Sequence, residues 1–275
     1  MNYDVAADLD LAILAAREAG RIIMRSFRTD QKVTHKSPDQ PLTEADLAAD
    51  AMLKRLLLGD RLLYGWLSEE TADNPARLQR DHVWIVDPID GTSSYIDGYA
   101  EFAISIGLAV DHEAVLGVVY NPATDEMYAA QRGRGAWRVG GSSLNVVRPP
   151  CGSRVMVASR SEIENGEFEP FRDDFVITET GSTAYKLLKV ATGVADVFVS
   201  RGPKSEWDVC AGALIVEEAG GRATDLNGRA IRYNQERTEV FGIMATNGQL
   251  HGEMIERVAA LPPAQRLSNW ENRDQ

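Results

Sequence analysis

Apolar positions recur at helical spacing at the start of the chain. Leu9, Ala12, Ile13, Ala16, Ala19, Ile22, Ile23 and Phe27 form one stripe, which predicts a helix from about Val5 to Phe27. The polar run from Lys32 to Pro41 contains Ser37-Pro38-Asp39 and reads as a loop. Thr43 is a good N-cap for a second helix reaching about Leu58, with Asp46 where the reciprocal acid of a capping box would sit. Trp66 to Thr71 leads into a polar linker carrying Asn74-Pro75. Val83-Trp84-Ile85-Val86 then reads as a short buried strand, ended at Asp87 because Pro88 has no backbone donor. Phe102 to Val110, Val115 to Tyr120 and Glu126 to Ala130 have strand composition and are separated by turn residues. Gly133 to Trp137 continues what reads as an antiparallel meander.

Around Pro149-Pro150 the pattern changes. Strands at Arg154 to Ala158, Phe175 to Thr178 and Val194 to Ser200 alternate with helices at Thr183 to Ala191 and Asp208 to Ala219. A strand at Val240 to Ala245, a helix at about Gln249 to Ala260 and a polar tail from Pro262 close the chain. The pattern predicts an α/β (α+β) fold in two parts: an α+β subdomain over 1–150 and an α/β subdomain over 151–275. No internal repeat or low-complexity tract interrupts it.

Composition narrows the possibilities. At 44% hydrophobic and 25% charged, the 275 residues suit an ordinary globular protein with a large core. Asp and Glu outnumber Lys and Arg by 41 to 29, a net charge of −12, which argues against a nucleic-acid partner. No stretch is long and apolar enough for a membrane span, and no secretory signal is visible, so the expected location is cytoplasmic. Cys151 and Cys210 are too few for a disulfide framework or a zinc site.

The chemistry concentrates in Asp87-Pro88-Ile89-Asp90-Gly91-Thr92-Ser93. Two carboxylates three positions apart at a strand end repel unless a positive charge lies between them. A hard divalent cation such as Mg²⁺ answers that need, taking oxygen ligands from a few carboxylates and a substrate phosphate. Gly91, Thr92 and Ser93 then offer backbone N–H groups and hydroxyls to an anion. Each acid also has an innocent reading. Asp-Pro and Asp-Gly are common turn dipeptides, Asp46 and Asp208 sit where helix caps belong, and Glu69-Glu70 is an ordinary solvated pair.

The order of four motifs favours the chemical reading. Thr43-Glu44-Ala45-Asp46, Ser68-Glu69-Glu70, Trp84 through Thr92 and Trp207-Asp208-Val209-Cys210-Ala211-Gly212-Ala213 together resemble the inositol monophosphatase superfamily over nearly the whole chain. The resemblance implies a layered αβαβα sandwich of the sugar-phosphatase type and a Mg²⁺-dependent, lithium-sensitive phosphomonoesterase with two to three ions. Carried over by position, Glu69, Asp87 and the Ile89 carbonyl hold one ion, while Asp87, Asp90 and Asp208 hold a second. A third, weaker ion sits near Glu69. Asp46 pairs with the Thr92 hydroxyl to orient the attacking water, so Asp46, Glu69 and Thr92 are the catalytic set. Gly91, Thr92 and Ser93 cradle the phosphate, and Glu70 flanks the site.

On the substrate side, Ser200 to Glu206 with its Gly202-Pro203, and Ala158-Ser159-Arg160-Ser161, look closest to the 3′(2′),5′-bisphosphate nucleotidase branch. That branch converts adenosine 3′,5′-bisphosphate to AMP and phosphate, with Arg160, Ser182 and Lys186 expected to meet the second phosphate. Ser93-Ser94-Tyr95 departs from the pattern, which leaves an inositol-1-monophosphatase or a sugar (bis)phosphatase as the alternative. A non-catalytic metal- or phosphate-binding regulator is the alternative of another class. The haloacid-dehalogenase phosphatases are disfavoured, because their two acids lie two positions apart. The implied partner is a small phosphorylated substrate, and a homodimer is possible on the resemblance.

Overall fold

A computed structural model describes residues 5–37, 40–146 and 152–262. The leading stripe forms α1 (Val5–Met24), and α2 (Glu44–Leu58) starts at Thr43. A central six-stranded sheet follows in the order β3 (Gly65–Ser68), β4 (His82–Asp90), β5 (Ala103–Val110), β6 (Glu113–Asn121), β7 (Glu126–Gln131) and β8 (Gly135–Arg138). Only β3 and β4 in it run parallel, and the rest is the predicted antiparallel meander. A second sheet has five strands, ordered β10 (Phe175–Glu179), β9 (Arg154–Ala158), β11 (Val197–Ser205), β13 (Glu239–Thr246) and β12 (Arg222–Thr224). Helices α3 (Thr92–Ile96), α4 (Arg160–Glu164), α5 (Thr183–Ala191), α6 (Glu206–Glu218) and α7 (His251–Ala259) complete the order.

The layering follows from which faces are apolar. Trp84 and Val86 of β4 pack with Ile104, Ile106 and Val118 against Ala12, Ala16 and Ala19 of α1 and Leu53 and Leu57 of α2. Val83 and Ile85, alternating with them, face the other way, into a core shared with α5, α6 and the second sheet through Val157, Phe198 and Ile243. Met156, Val197 and Met244 on the far face of that sheet meet Phe168, Phe171, Met254 and Val258. The stack is helix, sheet, helix, sheet, helix, the αβαβα sandwich expected. Because α6 lies between two sheets it is buried on all sides from Val209 to Val216. Gly117 of β6 permits the close approach: a Cβ there would lie 2.7 Å from the Ala211 carbonyl oxygen and 3.0 Å from its Cα. No helix among the described residues is long and apolar enough to cross a membrane.

The structure corrects several sequence expectations. The polar run read as a loop contains a hairpin, β1 (Val33–Ser37) paired antiparallel with β2 (Gln40–Thr43), with largely exposed side chains. Strand β4 does not stop at Asp87. Its pairing with β5 slips between Asp87 and Asp90 and resumes at Asp90, so Pro88 sits in the irregularity, where no ladder donor is needed. The approach to the expected polar linker forms a buried strand, β3, and β11 continues through Gly202-Pro203 by a similar slip after Ser200. Helix α1 stops at Met24 rather than at Phe27. The Pro149-Pro150 change and the tail beyond 262 lie outside the described residues.

Candidate active site

Three separate segments bring acids to one place. Strand β3 ends at Ser68, and the Glu69 amide donates to the Val86 carbonyl (3.3 Å), carrying Glu69 alongside the end of β4. The slip in β4 carries Asp87, and the first turn of α6 carries Asp208. One carboxylate oxygen from each of Glu69, Asp87 and Asp208 lies within 4.8 Å of the others. Neighbours restrain these groups. The Ile89 amide donates to Asp87 Oδ1 (2.9 Å), the Ser205 amide donates to Asp208 Oδ2 (3.1 Å), and the Ser105 hydroxyl donates to the Trp207 carbonyl (2.9 Å).

Asp87 Oδ2 is the exception: it is buried and has no hydrogen-bond partner among the described residues. An orphaned carboxylate oxygen beside two more acids is costly unless protonated or matched by a cation. Burial, with repulsion from Glu69, Asp90 and Asp208 added, pushes Asp87 well above the ordinary carboxylate range. Burial, then Asp90 and Glu69, does the same to Asp208. An all-oxygen donor set of this kind could hold a hard metal ion, which would satisfy the orphaned atom and remove the repulsion together.

Asp90 is set differently. Its Oδ2 accepts from the Ser182 hydroxyl (2.6 Å) and the Ala184 amide (2.5 Å) at the start of α5. Burial raises its pKa, and those hydrogen bonds oppose the rise. Asp46 caps α2 and also faces Thr92. Its Oδ2 accepts from the Thr43 amide (2.8 Å) and hydroxyl (2.6 Å), while Oδ1 lies 3.2 Å from the Thr92 hydroxyl, which is also 3.0 Å from the Ile89 carbonyl. The cap therefore aims the carboxylate at Thr92. Gly91, before α3, has φ +96°, and a Cβ there would lie 2.9 Å from the Glu101 carbonyl oxygen. Both facts demand glycine.

These groups form the floor and walls of a cavity of about 560 Å³. Glu69, Asp87, Ile89, Asp90, Gly91, Thr92, Ser93, Arg160, Ser182, Lys186 and Asp208 all line it, and Asp46 lies buried behind Thr92. The substrate-side residues are less free than their sequence suggested. Arg160 pairs with Glu179 and with Glu101 (3.1 Å) and lies over the Tyr99 ring. The Ser182 hydroxyl donates to Asp90 and accepts from the Tyr185 amide (2.9 Å). Lys186, by contrast, is 2% exposed, its ammonium 5.2 Å from the Phe198 ring centroid. Burial, with nearby Lys204 adding repulsion, lowers it to about 8 against the pull of Glu162, Asp90 and Asp208.

The sequence model of the Inositol monophosphatase family matches residues 4–262. The chain belongs to the inositol monophosphatase family. Its members are phosphatases, and this chain is an enzyme of that hydrolase class. It is 35% identical over 264 residues to an inositol-1-monophosphatase of Mesorhizobium japonicum, covering 92% of this chain and 96% of that one. It is 31% identical over 257 residues to a histidinol-phosphatase of Chlorobaculum parvum, covering 91% and 96%. Among solved structures, an IMPase of Thermotoga maritima superposes with a TM-score of 0.80 at 29% identity, covering 91% of this chain and 96% of that one. CysQ of Bacteroides thetaiotaomicron gives 0.75 at 28% identity, covering 88% and 98%. The likeness is to the inositol monophosphatase family as a whole and does not single out a nucleotidase branch.

Some residues that touch the lining of the cavity have no role in the sequence reading above. Lys36, on the hairpin, donates to Glu69 (2.6 Å) and Glu70 (2.9 Å). Burial alone would lower the Lys36 pKa, but the two carboxylates raise it. Burial pushes the Glu70 carboxyl up to about 7 despite the bond from Lys36. Nothing local in the sequence marks Lys36, because its partners lie 33 and 34 positions away. Glu162 was detectable as the reciprocal acid of a Ser159 capping box. Its other oxygen accepts from the Ser200 hydroxyl (2.6 Å), and Lys204 and Lys186 hold its pKa down against burial.

Proposed function

We propose that this chain is a Mg²⁺-dependent phosphomonoesterase whose metal centre is built from Glu69, Asp87, the Ile89 carbonyl, Asp90 and Asp208, with room for two to three ions. The observation that carries the reading is the buried, unpartnered Asp87 Oδ2 among converging acids on the floor of the cavity. Mg²⁺ bound there supplies neutralisation of phosphoryl charge and activation of water for attack. The chain's own residues supply position. The Gly91, Thr92 and Ser93 backbone cradles the phosphate, and fixing it in line with its attacker accounts for much of phosphoryl-transfer catalysis. The Thr92 hydroxyl, held between Asp46 and the Ile89 carbonyl, orients the attacking water and relays its proton toward Asp46. Burial raises the Asp46 pKa, which improves it as the acceptor.

The supported substrate is a small polyol monophosphate of the inositol 1-phosphate kind, in preference to the bisphosphate first favoured by the sequence. Inositol monophosphatases are prominent among the relatives, and Arg160, expected to hold a second phosphate, is already paired with Glu101 and Glu179. One observation favours a second reading. Lys186 and Lys204 both line the cavity, and two ammonium groups there suit a substrate with a second anion, such as adenosine 3′,5′-bisphosphate. Phosphate release from inositol 1-phosphate, adenosine 3′,5′-bisphosphate, fructose 1,6-bisphosphate and histidinol phosphate, with and without Mg²⁺, separates these readings. Mg²⁺-dependent turnover highest on inositol 1-phosphate is expected. Preference for the adenosine ester reverses the substrate choice, and no Mg²⁺-dependent release from any ester overturns the function.

A further inference from the structure

Away from the cavity, a buried polar network links the segments that carry Glu69 and Asp208. Arg77 is 2% exposed, yet its guanidinium donates four hydrogen bonds. Two go to the carboxylate of Asp73 (2.7 and 3.0 Å), one to Asn234 Oδ1 (2.7 Å) and one to the Gln235 carbonyl (2.9 Å). The Asn234 side-chain amide donates back to the Arg77 carbonyl (3.3 Å). Across the same two residues, the Asn234 and Gln235 amides donate to the two oxygens of Glu206 (2.6 and 2.8 Å). Glu206, 1% exposed, opens α6 two positions before Asp208, and its own amide donates to the Thr238 carbonyl (2.7 Å).

On the other side, Asp73 lies four positions after Glu69. The intervening loop is also pinned to α2, where Asp50 accepts from the Ser68 hydroxyl (2.5 Å) and the Thr71 hydroxyl (2.6 Å). Asp50 therefore fixes the loop to the helical layer, while Arg77 fixes it to α6. Asn234 is held at φ +55°, in the left-handed region. A non-glycine residue persists there when its surroundings over-determine it.

We propose that Arg77, Asn234 and Glu206 form a positioning strut that sets the spacing between the Glu69 and Asp208 carboxylates. This rests on the metal-centre reading above. None of the three lines the cavity, so their effect passes through the backbone to the two acids. Outer partners of metal ligands typically change metal affinity about 10- to 100-fold when removed. An indirect strut belongs near the lower figure, about 10-fold.

The test uses Asn234→Gly, Arg77→Lys and Glu206→Gln in the full chain. Asn234→Gly is the cleanest, because glycine accepts the left-handed backbone while losing the bond from Arg77. Met254→Ala, in the outer core, is a destabilised control remote from the network. The expected result is about a 10-fold loss of Mn²⁺ affinity by electron paramagnetic resonance titration in Asn234→Gly and not in Met254→Ala. In the metal-free protein, amide exchange should quicken at 69–73 as well as at 205–208. Variants that bind Mn²⁺ as tightly as the wild type overturn the strut and leave the metal centre standing. A loss in Met254→Ala that matches Asn234→Gly also overturns it, by making affinity a matter of stability. Wild-type protein that binds no Mn²⁺ overturns the metal centre and this inference with it.

Discussion

Adding one methyl group at Gly117 tests whether the helix that carries Asp208 is held in place by close approach to the central sheet. In Gly117→Ala the new Cβ would sit 2.7 Å from the carbonyl oxygen, 3.0 Å from the Cα and 3.2 Å from the carbonyl carbon of Ala211. Ordinary contact begins near 3.4 Å, so the overlap runs from about 0.2 Å to about 0.7 Å, the largest at the carbonyl oxygen. All three atoms are backbone, which cannot rotate aside as a side chain would. The helix must move, and it is packed on its opposite side against α5 and the second sheet. Overpacking of this sort costs about 1–3 kcal/mol, and a rigid obstacle argues for the upper part of that range. For a chain of this length that lowers Tm by roughly 3–5 °C. Gly252→Ala is the matched comparison: among the described residues nothing lies within 4 Å of its Cβ, and it falls inside α7. Alanine there should stabilise by about 0.5 kcal/mol. Calorimetry reads the stability, and Mg²⁺-dependent phosphate release reads the displacement of Asp208. If Gly117→Ala melts within about 1 °C of the wild type, the account of helix seating is refuted.

Asp87→Asn should reduce Mg²⁺-dependent turnover by on the order of 10² to 10³, as for loss of one preorganised charge-stabilising group. In EDTA its melting temperature should equal or exceed the wild type, because the change relieves repulsion from Glu69, Asp90 and Asp208. Thr92→Val should cost about 100-fold in kcat with KM little changed, and Thr92→Ser should restore most of it. His251 gives a pH test remote from the site. Burial depresses it to about 4, and its two ring nitrogens contact Thr224 (2.9 Å) and Thr246 (3.1 Å). The folded state refuses a proton that the unfolded chain accepts near pH 6.5. This stability is present above pH 6.5 and is lost as pH falls toward 4, by about 2 kcal/mol at pH 5. His251→Gln should flatten that part of the profile in chemical denaturation, and an unchanged slope would refute the assignment.

The sequence made the acids legible because their signals are local. Asp-Pro-Ile-Asp-Gly-Thr spans one strand end and one turn, and Thr43 with Asp46 forms a cap within four residues. What escaped was either short or non-local. Strand β3 has four buried residues and so shows no alternation, while the β1–β2 hairpin is polar and reads as loop. The substrate wall was harder still. Arg160 is an available cation in sequence, but Glu101 and Glu179, 59 and 19 positions away, pair with it in the fold. Lys186 gave the opposite surprise, since a lysine on a helix is ordinarily a surface residue, and this one is enclosed.

The seating of Asp208 on an inter-sheet helix also sets an order of events during synthesis. A ribosome must add 117 residues after Asp90 before it reaches Asp208. At about 5–20 residues per second that is an interval of roughly 6–24 s. Throughout it, the acids already translated lack the partner that completes their cluster. A nascent chain stalled before Asp208 is therefore expected to present an unfinished cation trap, and chelating power should arrive late and all at once.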